Sequence, residues 1–447
     1  MSIEILEQTT KKAPVKGERA SLKKNKKAQP LKKDLKVLSL FSGCGGMDLG
    51  LEGGFKVFRK SVNEALFPGM IAQSLNQKEV LLRNTRFSTV FANDILADAK
   101  STWSNHFGKD KPADGVFHKD SIVDLVKRHQ SGEQVFPEGI DIVTGGFPCQ
   151  DFSLAGKRNG FNSHKDHNGK IRTEDDASEE TRGQLYMWMK QVIEITKPKV
   201  FIAENVKGLV NLHNVKELIQ KDFASADQDG YFVFEPRVLH AGDYGVPQSR
   251  ERVIFIGIKK SALRRDVLEL LNNDEFGELN PYPQPTHDYN NKGIGLAPFV
   301  TVRDVLSLLP EPAESSDPSQ RFYSKAKFMG RHCQGQTEVK MDGLAPTIRA
   351  EHHGNIEFRR LSAENGGRYS GELNAGLEQR RLTPRECALI QTFPSDFEFV
   401  INDGPSERRF KVSASGAYKV IGNAVPPLLA FNIANRLESL WNIYFDN

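Results

Sequence analysis

The chain has few of the residues that would hold it together by anything other than packing. Its four cysteines (Cys44, Cys149, Cys333 and Cys387) lie far apart in 447 residues, and none forms a C-x-x-C pair. That spacing offers neither a disulfide framework nor a cysteine-rich zinc site. His352 and His353 are adjacent rather than one helical turn apart, so no metal site is expected. No apolar run is long enough to cross a bilayer. The start, MSIEILEQTTKK, lacks the apolar core and small-residue cleavage site of a secretory signal. The expected location is therefore the cytoplasm, with no membrane partner.

A large charge of one sign is also missing, since the formal net charge is only +4. The charge is unevenly placed, however. Residues 1–36 carry ten lysines and Arg19 against Glu4, Glu7, Glu18 and Asp34, a net +7 that leaves the rest at −3. Residues 1–34, low in aromatic and apolar side chains, read as a basic disordered tail. It is either a weak hold on polyanions or a solubilising extension. A body that binds nucleic acid would have to do so through a local patch.

What is present is an alternation of strands and helices. DLKVLSLF (34–41) is a short apolar run that ends in the glycine turn SGCGG. STVFAND (88–94), GIDIVTGGFP (139–148), KPKVFIAENV (197–206) and ERVIFIGI (251–258) read as further strands, with helical patterns such as LYMWMKQVIEIT between them. The rhythm predicts an α/β fold, a mostly parallel Rossmann-like sheet with helices on both faces. From about 280 to 380 it is lost. Proline, glycine and asparagine become frequent there, and residues 321–381 hold eleven Lys or Arg against seven Asp or Glu. We expect a catalytic and cofactor-binding domain over 35–278 and a smaller, loop-rich domain with a basic surface over 279–400. Residues 401–447 then return to the first domain, ending in the helical stretch PPLLAFNIANRLESLWNIYF.

Glycines after a first strand let a ligand approach the backbone beside a helix N-terminus. The F-x-G-x-G spacing of Phe41, Gly43 and Gly45 departs from the dinucleotide fingerprint, and a turn made only for packing explains it about as well. Asp94, at the end of the second strand, stands where an acid can bind ribose hydroxyls. Together they favour an adenosine-bearing cofactor. Cys149 follows Pro148 just past a strand end, where open α/β sheets place their ligands, and a thiol there can serve as a nucleophile. Glu204 ends the next strand, and Arg250 and Arg252 begin another. Taken alone, each of these charges is as well explained by an ordinary surface ion pair.

FSGCGG, GGFPCQ, ENV, QSRER and VIGNAVPP, in that order, resemble the motifs of the DNA cytosine-C5 methyltransferases of bacterial restriction–modification systems. The resemblance covers roughly 36–258 and 381–435, and RLTPRECALIQTFP (381–394) resembles a further structural motif of that family. It implies methyl transfer from S-adenosylmethionine to C5 of a cytosine flipped out of duplex DNA. Cys149 would add to C6 of the base, Glu204 would contact N3 and the exocyclic amine, and Arg252 would hold the base oxygen with Arg250 beside it. It also implies cofactor contacts at Phe41, Gly43, Gly45, Gly46, Asp94, Asp120, Pro148, Leu185, Asn423 and Ala424. The family more often has Glu where Asp94 stands, and about 40 residues separate the glycine turn from it, so an insertion around 59–87 is expected.

The loop from Gln150 to about Arg182 would close over the flipped base. Gln150 and Ser153 there, with Thr347, Arg349 and Arg359 in the second domain, are the expected DNA contacts. For each of these arginines an ordinary solvated charge is an equally good account. The family is generally monomeric on DNA, so a monomer is expected, with a restriction endonuclease as a functional partner. Two other readings stay open: a binding protein that keeps the fold without the chemistry, and the same chemistry on structured RNA. Intact Cys149, Glu204 and Arg252 weigh against the first, and the long basic recognition region weighs against the second.

Overall fold

A sheet of eight strands organises the protein. The structure, a computed structural model, describes residues 34–109, 115–148, 185–211, 214–273, 276–288, 293, 295–330, 336–350, 356–404 and 409–446. The strands are β1 (Leu35–Leu40), β2 (Phe87–Asn93), β3 (Phe117–His118), β4 (Ile142–Gly146), β5 (Val200–Val206), β6 (Tyr231–Val233), β7 (Arg237–His240) and β8 (Glu251–Lys259). Their order is β7-β8-β5-β4-β1-β2-β3, with β6 also pairing on β8. The five strands from β3 to β5 run parallel, whereas β8 is antiparallel to β5 and to β7. The sheet is thus mixed, with the expected parallel half.

Burial on both faces explains why these strands read as nearly continuous apolar runs. On β1, Leu35 and Val37 join one core cluster while Leu38 and Leu40 join the other. Helices α1 (Gly46–Glu52), α2 (Ala97–Phe107), α3 (Ile122–Gln130) and α4 (Leu185–Thr196) follow parallel strands. The chain leaves β1 towards β2 on one side and reaches β4 on the other. That reversal opens a crevice at the strands' carboxyl ends, where ligands of such sheets bind.

The long stretch before β2 is a small antiparallel sheet of its own. Its strands are Lys56–Phe58, Glu79–Leu82 and Ile71–Ser74, in that spatial order. Ion pairs Lys56–Asp396 at 2.8 Å and Lys60–Asp304 at 2.7 Å tie it down. This accounts for the distance in sequence between the glycine turn and Asp94.

Helices α5 (Pro384–Ile390), α6 (Ala414–Asn423) and α7 (Pro427–Tyr444) pack beside the sheet, α7 directly on α1. Their contact is backbone to backbone at Gly50, where an added Cβ would sit 2.3 Å from the Pro427 carbonyl oxygen.

Residues 279–400 are as poor in regular structure as their composition implies, with short strands Thr337–Glu338, Glu357–Arg360 and Arg380–Arg381. Of the positive charge expected on their surface, Arg321, Lys325, Lys327, Lys340, Arg349 and Arg368 are exposed, while several other arginines are turned inward. Arg360 is fully buried and pairs with Glu311 and Glu372. Arg380 pairs with Glu311 and Glu386. Arg381 is buried with its guanidinium 3.8 Å from the Tyr418 ring centre. These arginines assemble the region instead of facing solvent.

Candidate active site

The turn after β1 is built on left-handed backbone. Phe41, Gly43 and Gly45 have φ of 52°, 57° and 88°. The Ser42 amide donates to the Asn93 carbonyl at 2.8 Å, fixing the turn against the end of β2. At Gly43 an added Cβ would meet nothing within 4 Å, so this part of the turn faces open space. Gly45 and Gly46 are glycines for another reason. A Cβ at Gly45 would lie 2.5 Å from Phe107, and one at Gly46 would lie 2.3 Å from the Val425 oxygen.

That open space is a cavity of about 500 Å³ at the crevice, lined among others by Phe41, Gly43, Asp94, Pro148, Leu185, Asn423 and Ala424. Seven of the ten residues expected at a cofactor line it. Gly45 and Gly46 stand behind it as packing positions. Asp120 is solvent-exposed and outside the lining, although its neighbours Ser121 and Ile122 belong to it.

Asp94 is held firmly. Its Oδ2 accepts from the Gly43 amide at 3.0 Å and its Oδ1 from the Leu96 amide at 2.9 Å. Burial pushes its pKa up, and those amides, with the Lys419 ammonium, act against the rise. Lys419, one helical turn before Asn423 on α6, also lines the cavity and was not singled out from sequence. Neither was Asn93, whose amide donates to the Asp120 carbonyl at 2.7 Å and braces the segment behind Ser121.

The same cavity is lined by Glu204 and Arg252. They sit on adjacent antiparallel strands, Glu204 opposite Ile254 and Arg252 opposite Val206. Arg252 Nε lies 2.7 Å from Glu204 Oε1, with both side chains about nine-tenths covered. Gly146 leaves room for the carboxylate, since an added Cβ would be 2.9 Å from Glu204 Oε2. Asn205 donates to the Phe147 carbonyl at 3.2 Å, fixing the backbone that leads into Pro148. Asn205 stands inside the ENV motif, so its signal was in view, but a carboxamide serving the backbone is not distinguishable in sequence from one facing solvent. Cys149, Gln150 and Ser153 lie outside the described residues.

Arg250, expected beside Arg252 in the catalytic group, is not part of the lining. It is fully buried, and its guanidinium donates to backbone carbonyls of Ile348, Gly422 and Ala424. Thr347 uses its hydroxyl on the Ser249 carbonyl at 2.7 Å. Arg349 is exposed. Arg359 is not a free cation for DNA, because it pairs with Glu372 at 2.6 Å and its side chain is mostly covered.

The sequence from residue 35 to 439 matches the family described as C-5 cytosine-specific DNA methylase. The chain belongs to that family. As such it is a DNA cytosine methyltransferase, of a kind that in general takes its methyl group from S-adenosylmethionine. The methylase is 32% identical over 419 residues to the type II methyltransferase M.BsuRI of Bacillus subtilis, covering 92% of this chain and 80% of that one. Against the type II methyltransferase M.NgoFVII of Neisseria gonorrhoeae the identity is 30%, with 92% and 88% covered. In fold the methylase resembles S. pombe Dnmt2 methyltransferase, with a TM-score of 0.52, 17% identity, and 91% and 99% of the two chains covered. The Entamoeba histolytica methyltransferase EhMeth gives a TM-score of 0.52 at 15% identity, covering 92% and 99%. Among the described residues, no helix of the methylase is long and apolar enough to cross a membrane.

Proposed function

We propose that this methylase modifies C5 of a cytosine flipped out of duplex DNA, with Cys149 as the nucleophile and the crevice as the site of both cofactor and base. The Glu204–Arg252 pair carries the reading. It places a carboxylate and a guanidinium 2.7 Å apart in the cavity that Pro148, the residue before Cys149, also lines.

The residues present fit S-adenosylmethionine. The bare face of Gly43 admits a ligand against the backbone, Asp94 offers a carboxylate to ribose hydroxyls, and Phe41, Pro148 and Leu185 supply apolar walls. Asn423 and Ala424 close the wall from α6. The cofactor supplies an electrophilic methyl group there.

Cytosine C5 is a poor nucleophile until C6 carries a donor. The Cys149 thiolate forms a bond to C6, and the ring's electron pair moves to C5. Glu204, contacting N3 and the exocyclic amine, stabilises the ring in its N3-protonated form, which makes C6 open to the thiolate, and Arg252 holds the base oxygen. Once C5 is methylated, its proton leaves to a base, and the C6–S bond breaks to return the thiolate. A stacked base is out of reach of this arrangement, so the cytosine must leave the duplex. Gln150, Ser153, Thr347 and Arg349 remain the candidates for DNA contact, Thr347 through its backbone now that its hydroxyl is engaged. The similarity to type II methyltransferases supports a role in protecting host DNA beside a restriction endonuclease, acting as a monomer in the cytoplasm.

The test supplies labelled S-adenosylmethionine with duplex DNA and, separately, with tRNA. Label is expected in DNA and lost with Cys149→Ser. Label confined to tRNA, or Cys149→Ser acting at the wild-type rate, would overturn the reading.

A further inference from the structure

Arg250 has the geometry of a joint between two parts of the site. Its Nη1 donates to the Ile348 carbonyl at 2.9 Å, and its Nη2 donates to Gly422 and Ala424 at 2.9 and 2.8 Å. Gly422 and Ala424 flank Asn423 in the cavity wall. Ile348 lies in the segment 345–350, next to the exposed Arg349. The two backbones also touch directly, since a Cβ on Gly422 would sit 2.3 Å from both the Ala350 nitrogen and the Arg349 carbonyl carbon.

The residues just before Arg250 fasten the same segment. Gln248 Oε1 accepts from the Ile348 amide at 3.0 Å, and the Ser249 amide donates to the Ala345 carbonyl at 2.8 Å. Segment 345–350 therefore cannot slide along the cavity wall without breaking several buried hydrogen bonds at once. A planar guanidinium suits the task because its fixed fork of donors can span carbonyls on two chain segments, which a lysine ammonium cannot.

We propose that Arg250 is the positioning residue through which the cofactor pocket and the DNA-contacting segment hold each other in place. Filling the pocket sets the backbone beneath Arg349, and DNA held by that segment tightens the pocket. By linkage the two effects are equal in size. The inference rests on the preceding reading of the cavity as the cofactor site and of 345–350 as a DNA contact.

The experiment uses the full chain and a DNA duplex first shown to accept methyl groups from it. The affinity for S-adenosylhomocysteine is measured by calorimetry without DNA and with that duplex at saturation. The wild-type protein is expected to bind at least about fivefold more tightly with DNA present. In Arg250→Lys, which keeps the charge but not the fork, the ratio is expected to fall towards one. Gly422→Ala, which forces the same two backbones apart from the other side, is expected to do likewise. A purely structural role for Arg250 would lower the melting temperature and leave the ratio unchanged. A wild-type ratio of one, or a wild-type ratio retained in folded Arg250→Lys, overturns the proposal. Failure to methylate any DNA would instead overturn the proposed function.

Discussion

Glu204 and Arg252 meet with both side chains about nine-tenths covered, where either charge alone would be costly and the pair is tolerable. Glu204→Gln keeps an acceptor for Arg252 but loses the negative charge that favours addition to the base. Methyl transfer in a single turnover is expected to fall by roughly 10²- to 10⁴-fold, while S-adenosylhomocysteine affinity changes little. An equal loss of both would move Glu204 from the chemistry to the cofactor. A second carboxyl shows itself through pH. Burial pushes Glu357 up to about 7 from an ordinary 4.5, against the pull of Arg381 and Arg349. Between those values the folded protein holds a proton that the unfolded chain has released. The contribution to stability is therefore greatest at the low end of that window, declines as pH rises towards 7, and is flat above it. Glu357→Gln should remove this slope and stabilise the protein at pH 8 by about 1–2 kcal/mol. Urea midpoints of both proteins at pH 5.5 and pH 8 check it, and an unchanged difference between the two pH values refutes it.

Helix α5 shows how a short element is specified by one carboxylate. Glu386 closes a capping box with Thr383 and takes both terminal nitrogens of Arg380 at 2.8 and 2.9 Å, while itself buried. Glu386→Gln leaves Arg380 underpaired in the interior and should cost about 3 kcal/mol, read as a lowered denaturant midpoint with the slope unchanged. The capping box is local, spanning only Thr383 to Glu386; the ion pair depends on Arg380 lying outside the helix. Strands β1, β2, β4, β5 and β8 could be read because burial on both faces leaves an apolar run, and the glycine turn and strand-end acids because their spacing is local. Arginine pairing is nonlocal. Arg360 and Glu311 are 49 positions apart, and nothing near Arg360 marks it as buried. Arg250 and Arg252 are two positions apart, yet one binds carbonyls in the core and the other lines the crevice. The small sheet before β2 was visible only as excess length, since its strands of three or four residues are too short for a period to register.

At the scale of the molecule, the inward arginines change how DNA must be attracted. Residues 321–381 looked like a basic face, but Arg359, Arg360 and Arg380 are committed to glutamates. The chain beyond residue 36 carries a net −3. A duplex approaching it meets local cations, among the described residues Arg321, Lys325, Lys327, Lys340, Arg349 and Arg368, on a body whose net charge does not itself attract it. Residues 1–33 hold ten Lys or Arg against three Glu, a net +7, and precede the family match at residue 35. Their cations can contact phosphates without reading sequence, and each contact adds about 0.9 to the slope of log affinity against log salt. Deleting residues 1–33 should therefore flatten that slope and weaken duplex binding at least about tenfold near 50 mM salt. The two proteins should converge as salt rises, with the site preference of methylation unchanged because base readout stays with the body. Parallel salt plots for the two proteins would show the tail to be a solubilising extension only.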